Sequence, residues 1–278
     1  MNWYYQFISF FNWRIAHYVV IVLSLQIIAF NVASLYVHLK QSSRVARFGM
    51  LFTLLVAYII YGIVRLFNSI INVASFASPT PANIAFRVQT MITPFAYVSS
   101  AMLAVDRVLM MSYVKYSLQR VSMKMSALSV AISILIVLIY EIVRYLGFRM
   151  DIFCNNFLPI VLLSETAAHG MFFIRFWKYV KTENNGFAKQ LTAQVNHIVI
   201  FQMIVHTLCA TLPNTVSTIG LFIDESGRTI ANDVLPYQWI LYLLSIMLSS
   251  AFIFFKFRVK RMLSYVPSSG NGGWMSTS

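Results

Sequence analysis

Apolar residues run along this chain in long blocks separated by brief polar stretches. A membrane-crossing helix needs about 20 largely apolar residues. Seven blocks approach or exceed that length: 16–39, 48–71, 86–111, 125–143, 156–178, 195–221 and 238–256. The third and fourth are parted by Asp106, Arg107 and a polar stretch through Lys124. The fifth contains Glu165 and His169, unusual content for a span. Between blocks lie short connections with turn residues such as Pro79-Thr80-Pro81 and Glu225-Ser226-Gly227. Neither an internal repeat nor an inserted soluble domain is visible. The pattern predicts an all-α membrane protein, a seven-helix bundle over 16–256 preceded by a short N-terminal segment, 1–15. The stretch 257–265 reads as a short amphipathic helix lying in the interface, with Phe257, Met262 and Leu263 toward lipid. Residues 266–278, rich in Gly and Ser, are expected to be a disordered tail.

Composition agrees. Of 278 residues, 59% are apolar and 15% aromatic, mean hydropathy is +0.72, and only 10% are charged. Soluble domains carry roughly 25% charged residues, so a cytosolic globular enzyme and a disordered chain are both excluded. Two cysteines are too few for a disulfide framework. The aromatic first fifteen residues lack a basic region and a small-residue cleavage site, so they do not read as a removable signal peptide.

Charge placement sets the expected orientation. The net charge of +13 would suit a nucleic-acid binder on the number alone. Yet fifteen of the twenty-one Lys and Arg fall in the first, third and fifth connections and after the last block. Cytoplasmic loops retain Lys and Arg, which puts those four segments in the cytoplasm and the N-terminus outside. The acids Asp151, Asp224, Glu225 and Asp233 fall on the opposite side. The excess positive charge is thus explained by a lipid bilayer with an anionic inner leaflet, and nucleic acid is not needed as a partner.

Seven spans with short loops and an external N-terminus point to the architecture of G-protein-coupled receptors. Asp106-Arg107-Val108, ending the third block ahead of a basic loop, resembles the D-R-Y motif of the rhodopsin-like receptors. An acid beside an arginine at the membrane face keeps the Arg paired at rest and releases it when helices separate. The matching acid at the base of the sixth block is missing, where the chain reads Gln190-Leu191-Thr192-Ala193-Gln194. Asn31 resembles the asparagine that these receptors keep in the first span, and its expected role is helix packing. The second block has no acid between Phe48 and Val64, so a sodium pocket is not expected. Pro213 predicts a bend in the sixth helix, by freeing a backbone carbonyl. Its surroundings only partly resemble the C-W-x-P kink, and the seventh-span N-P-x-x-Y is replaced by Ser249-Ser250-Ala251-Phe252-Ile253. Cys154 has no cysteine at the top of the third block to pair with.

Polar groups inside the blocks are the remaining signal. Glu165 and His169 stand four apart, as do Gln202 and His206, so each pair shares a helix face. Gln89, Thr93 and Tyr97 form a similar stripe. Such residues serve as interhelical hydrogen-bonding groups or line a ligand cavity. No HExxH or other tight ligand spacing occurs, so neither a metal nor another cofactor is expected. Arg87, at the mouth of that stripe, reads as a contact for an anionic ligand or, in preference, as a snorkelling residue, and Glu141 with Arg144 as a local pair.

Taken together, the short N-terminus, compact loops, aromatic core and Asp106-Arg107-Val108 resemble the nematode serpentine chemoreceptors, class BC or a related class. That resemblance implies a chemosensory, non-enzymatic receptor in the plasma membrane or a sensory cilium. Its partners would be an external small molecule and a heterotrimeric G protein. Asp106, Arg107 and Pro213 would serve activation. Thr93, Tyr97, Glu165, His169, His206 and Tyr242 would meet the ligand. The alternatives are an odorant-gated ion channel of inverted topology and a small transporter. The basic-residue distribution opposes the first, and the absence of paired broken helices opposes the second.

Overall fold

The computed structural model describes residues 3–41, 49–74, 79–112, 118–146, 163–178, 197–213, 215–216 and 225–264. The described residues form seven helices: α1 (Trp3–Gln41), α2 (Met50–Ala74), α3 (Pro79–Ser112), α4 (Leu118–Tyr145), α5 (163–178), α6 (197–213) and α7 (Glu225–Ser264). Five of them are long and apolar enough to cross a membrane, over Arg14–Lys40, Met50–Ala74, Asn83–Leu109, Arg120–Tyr145 and Tyr237–Lys256. The described parts of α5 and α6 are shorter.

Three boundaries differ from expectation. Helix α1 begins at Trp3, so most of the segment assigned to 1–15 is already helical. Pro79-Thr80-Pro81 and Glu225-Ser226-Gly227 open α3 and α7 instead of forming turns. The first helical turn has N–H groups without intrahelical partners, so a proline there loses nothing. Helix α7 continues unbroken to Ser264, so 257–264 extends the last helix and no separate interfacial helix begins. The tail 266–278, Cys154 and the stretch 190–194 lie outside the described residues.

The helices pack mostly antiparallel in chain order. His17 meets Ser69, with Nδ1 and Oγ 3.4 Å apart, while Ile27 and Ile28 lie against Gly62. A β-carbon on Gly62 would come within 3.1 Å of Ile28 and 3.2 Å of Ile27, so only glycine permits this approach of α1 and α2 without a shift. Small residues serve helix contact in membranes in this way. Phe201 of α6 stacks on Phe252 of α7 with centroids 4.2 Å apart. Helices α1 and α7 instead run parallel, with His17 against Trp239 and Asn31 against Ser250.

Buried hydrogen bonds pin these contacts. Asn31 Nδ2 donates to Ser250 Oγ and to its own helix at Ile27 O, both at 2.7 Å, and Ser250 Oγ donates to Ile246 O. At the Met50 end, Ser122 Oγ of α4 accepts the Met50 backbone N–H at 3.0 Å and donates to Asp106 Oδ2 at 3.3 Å. One hydroxyl therefore satisfies an unpaired donor at the start of α2 and joins three helices. Thr53 and Ser126 bond alongside.

The outward surface is apolar. On α4, Leu128, Ile134, Leu135, Leu138 and Ile142 are all exposed, and α1 shows Val22, Leu25 and Val32. A face of this size in water would be an aggregation liability; against lipid chains it costs nothing. Arg87 and Glu141 lie at the edge of this surface. Contrary to the snorkelling expectation, Arg87 Nη2 binds Glu141 Oε2 at 2.5 Å, joining α3 to α4. Arg144 is the lesser partner, 3.8 Å from the other carboxylate oxygen. Arg87 meets both carboxylate oxygens, through Nε and Nη2, whereas Arg144 approaches only one.

The Asn31–Ser250 bond should be measurable. Asn31→Ala is expected to destabilise the purified protein by about 1 kcal/mol, within the range of interhelical bonds in membranes. Adding Ser250→Ala should cost less than the two separate effects combined, read by thermal unfolding in a double-mutant cycle. Strict additivity would mean the bond contributes nothing.

Candidate functional site

The candidate site is a buried polar cluster where α2, α3, α5, α6 and α7 meet. Its centre is Glu165, which α5 turns inward together with His169 one helical turn later. Both are almost wholly buried, as are His206 and Gln202 of α6. Ser100 Oγ of α3 donates to Glu165 Oε1 at 2.5 Å. His206 Nδ1 lies 3.0 Å from the same oxygen and His169 Nε2 lies 3.6 Å from it. Neither imidazole has the alignment of a directed hydrogen bond there. Gln202 Nε2 donates to the Tyr58 hydroxyl of α2 at 3.4 Å.

Several atoms in the cluster are left over: Glu165 Oε2, Gln202 Oε1 and both ring nitrogens of His169 and of His206 are buried with no hydrogen-bond partner among the described residues. Buried polar atoms without partners are rare and mark sites that accept water or a ligand. Among the described residues, no three His, Cys, Asp or Glu side chains converge as metal ligands.

A layer of aromatic rings covers the cluster. Tyr242 of α7 presents its edge to His206 at 5.8 Å and stacks on Tyr97 of α3 at 4.2 Å, and Tyr61 of α2 packs at 5.8 Å. Beyond it stand Arg65, Trp239 and His17, then Asn68, which donates to Gln89 of α3. On α2, Tyr58, Tyr61, Arg65, Asn68 and Asn72 fall at helical spacing on one face. A polar track thus runs from the Ala74 end of α2 down to Glu165.

Of the residues expected to meet a ligand, Tyr97, Glu165, His169, His206 and Tyr242 come together here. Thr93 lies one turn away on α3, and its hydroxyl donates to Gln89 O at 2.8 Å. Nearby stands Pro94, a proline inside the helix that sequence reasoning overlooked, which has no N–H for the carbonyl of Thr90. Ser100, Tyr58, Tyr61 and Arg65 were also overlooked. The i, i+3, i+7 spacing on α2 was the available signal; a lone serine in an apolar run offered none.

Two further residues frame the site. Pro213 lies just beyond a π-helical turn, Thr207–Thr211, in which the Leu212 N–H reaches back five residues to Thr207 O. The irregularity of α6 at this point is the π turn upstream of the proline. Its consequence is local: the wider turn sets His206 and Thr211 toward α5, where they meet Glu165 and Thr166, the two threonine hydroxyls 2.9 Å apart. At the other end of α3, Asp106 is fully buried, and its Oδ2 lies 3.3 Å from Arg107 Nη2. No family model matches the chain, and no curated protein is significantly similar to it.

The buried cluster gives a stability prediction. Glu165→Ala strands two imidazoles and the Ser100 hydroxyl, and should cost about 3 kcal/mol in thermal unfolding, the scale of a broken buried pair. Glu165→Ala with His206→Ala should be markedly less destabilising than the sum of the single changes. Additive losses would show that the pair acts as two independent polar groups.

Proposed function

We propose that this chain is a seven-span chemosensory receptor that binds a small molecule from outside and activates a heterotrimeric G protein. The observation that carries the proposal is the pairing of two buried polar centres on one helix. Ser100 of α3 holds the carboxylate of Glu165, and six residues further on Asp106 holds Arg107 at the helix end. Six residues are roughly 9 Å of helix, so α3 links a buried polar cluster to an arginine at the face where a G protein would dock. The parallel course of α1 and α7 supports the reading, since the first and last members of an alternating odd set run the same way.

In this reading, the ligand sits between the polar track and the aromatic layer and contacts Tyr97, Glu165, His169, His206 and Tyr242. It favours the arrangement in which α6 moves about its distorted segment near Pro213 and Arg107 is released. Asn31 keeps α1 and α7 together through the change. The protein is a plasma-membrane signalling element, not a catalyst.

Two measurements test this. Epitopes placed before Met1 and after Ser278 should be reached by antibody in intact cells at the first position only. Access at the second position alone would leave the inverted channel as the better reading. Arg107→Ala should reach the surface as well as the wild type yet fail to activate G protein. Undiminished activation by that variant would remove Arg107 from the mechanism.

A further inference from the structure

Arg65 stands fifteen residues into α2 from Met50, roughly 22 Å along the axis at 1.5 Å per residue. Its Nε donates to the Tyr61 hydroxyl at 2.9 Å. Its guanidinium carbon lies 5.3 Å from the Tyr61 ring centroid and 5.6 Å from that of Trp239. His17 and Tyr97 are near enough to feel its charge. The side chain is therefore half-buried, held among groups of α1, α2, α3 and α7.

No carboxylate answers it among the described residues. Asp106 pairs with Arg107, Glu141 with Arg87 and Arg144, and Glu165 with His169 and His206. A guanidinium carries five N–H donors, and among the described residues only the Nε of Arg65 has an acceptor. Charged residues at membrane depth face the interior and mark the path of a ligand or ion.

We propose that Arg65 anchors a site for an anionic group, a carboxylate or phosphate, carried on a body with an aromatic or apolar surface. The two Nη atoms form the fork that grips such a group through two parallel bonds. The rings of Tyr61, Tyr97, Trp239 and Tyr242 supply the wall for the body. Asn68, Asn72 and Gln89 supply the polar approach from the Ala74 end. The inference deepens the receptor reading by naming the chemical class of its ligand. The anion could arrive on a free small acid or on a lipid headgroup, and the chemistry at Arg65 is the same for both.

The test uses the purified full chain in phosphatidylcholine nanodiscs, with thermal unfolding as the readout. Sodium benzoate is the probe, benzamide the uncharged isostere, at matched ionic strength. A second set of nanodiscs contains phosphatidylglycerol. Benzoate at roughly ten times its Kd should raise Tm by about 3 °C. Benzamide should leave Tm unchanged, Arg65→Gln should abolish the benzoate shift, and Arg65→Lys should retain part of it. A shift given only by phosphatidylglycerol and lost in Arg65→Gln assigns the anion to a lipid headgroup. No shift with either probe, an equal shift in Arg65→Gln, or benzamide matching benzoate on the wild type overturns the proposal. The benzamide comparison decides the matter even where Arg65→Gln does not fold. No G protein takes part, so failure of anion binding and failure of signalling are separate results.

Discussion

A carboxylate inside a bundle of apolar helices is tolerable only when other helices bring it partners, because its desolvation costs several kcal/mol. Glu165 imposes that condition on this chain. It draws Ser100 from α3, His206 from α6 and His169 from its own helix onto a single oxygen atom. Phe172 of α5 and Ile198 and Val199 of α6 join the apolar core, and this polar knot ties both helices to α3 beside them. Around it, Tyr58 and Gln202 add a second link from α2 to α6. The hydrophobic effect contributes little between helices already solvated by lipid, so such polar contacts and close packing determine who neighbours whom.

The same rule governs the periphery of the bundle. Asn31 with Ser250, Ser122 with Met50 and Asp106, and Asn68 with Gln89 each join two or three helices by groups that would be costly if left alone. These links are spread along the helix axes, one near each end and one between, and so resist both sliding and rotation. Arg65 departs from the rule among the described residues. It has rings and a hydroxyl beside it but no opposing charge, which is why it carries the inference about an anion.

Much of the architecture was legible in the sequence because hydropathy reports burial in lipid directly. The blocks 16–39, 48–71, 86–111, 125–143 and 238–256 correspond to helices long enough to cross a membrane. The pairs Glu165/His169 and Gln202/His206 were legible because a four-residue spacing fixes a shared face. What was not legible were the partners across helices. Ser100, Ser122 and Ser250 look like filler in apolar runs, and nothing in a single sequence says which hydroxyl faces which acid. Nor did it show that Glu141 prefers Arg87, fifty-four positions away, to its neighbour Arg144. The start of α1 at Trp3 was missed because an aromatic run interrupted by Asn12 and Arg14 does not resemble a span, although it is a good continuation of one.

The π turn in α6 shows why proline position alone was an incomplete guide. In a regular helix, residues five apart point about 140° away from each other, at 3.6 residues per turn. His206 and Thr211 are five apart, yet both face α5 and meet the consecutive residues Glu165 and Thr166. Only a wider turn brings them into line, and the backbone bond from Leu212 to Thr207 is that turn. Pro213 lacks the N–H that would otherwise bind the carbonyl of Cys209, so the regular ladder is already broken at this point. The irregular backbone is thereby spent on the site: it aims an imidazole and a hydroxyl at α5 together. π turns are found mostly at functional positions, and here the sequence cost of forming one is a single proline two residues downstream.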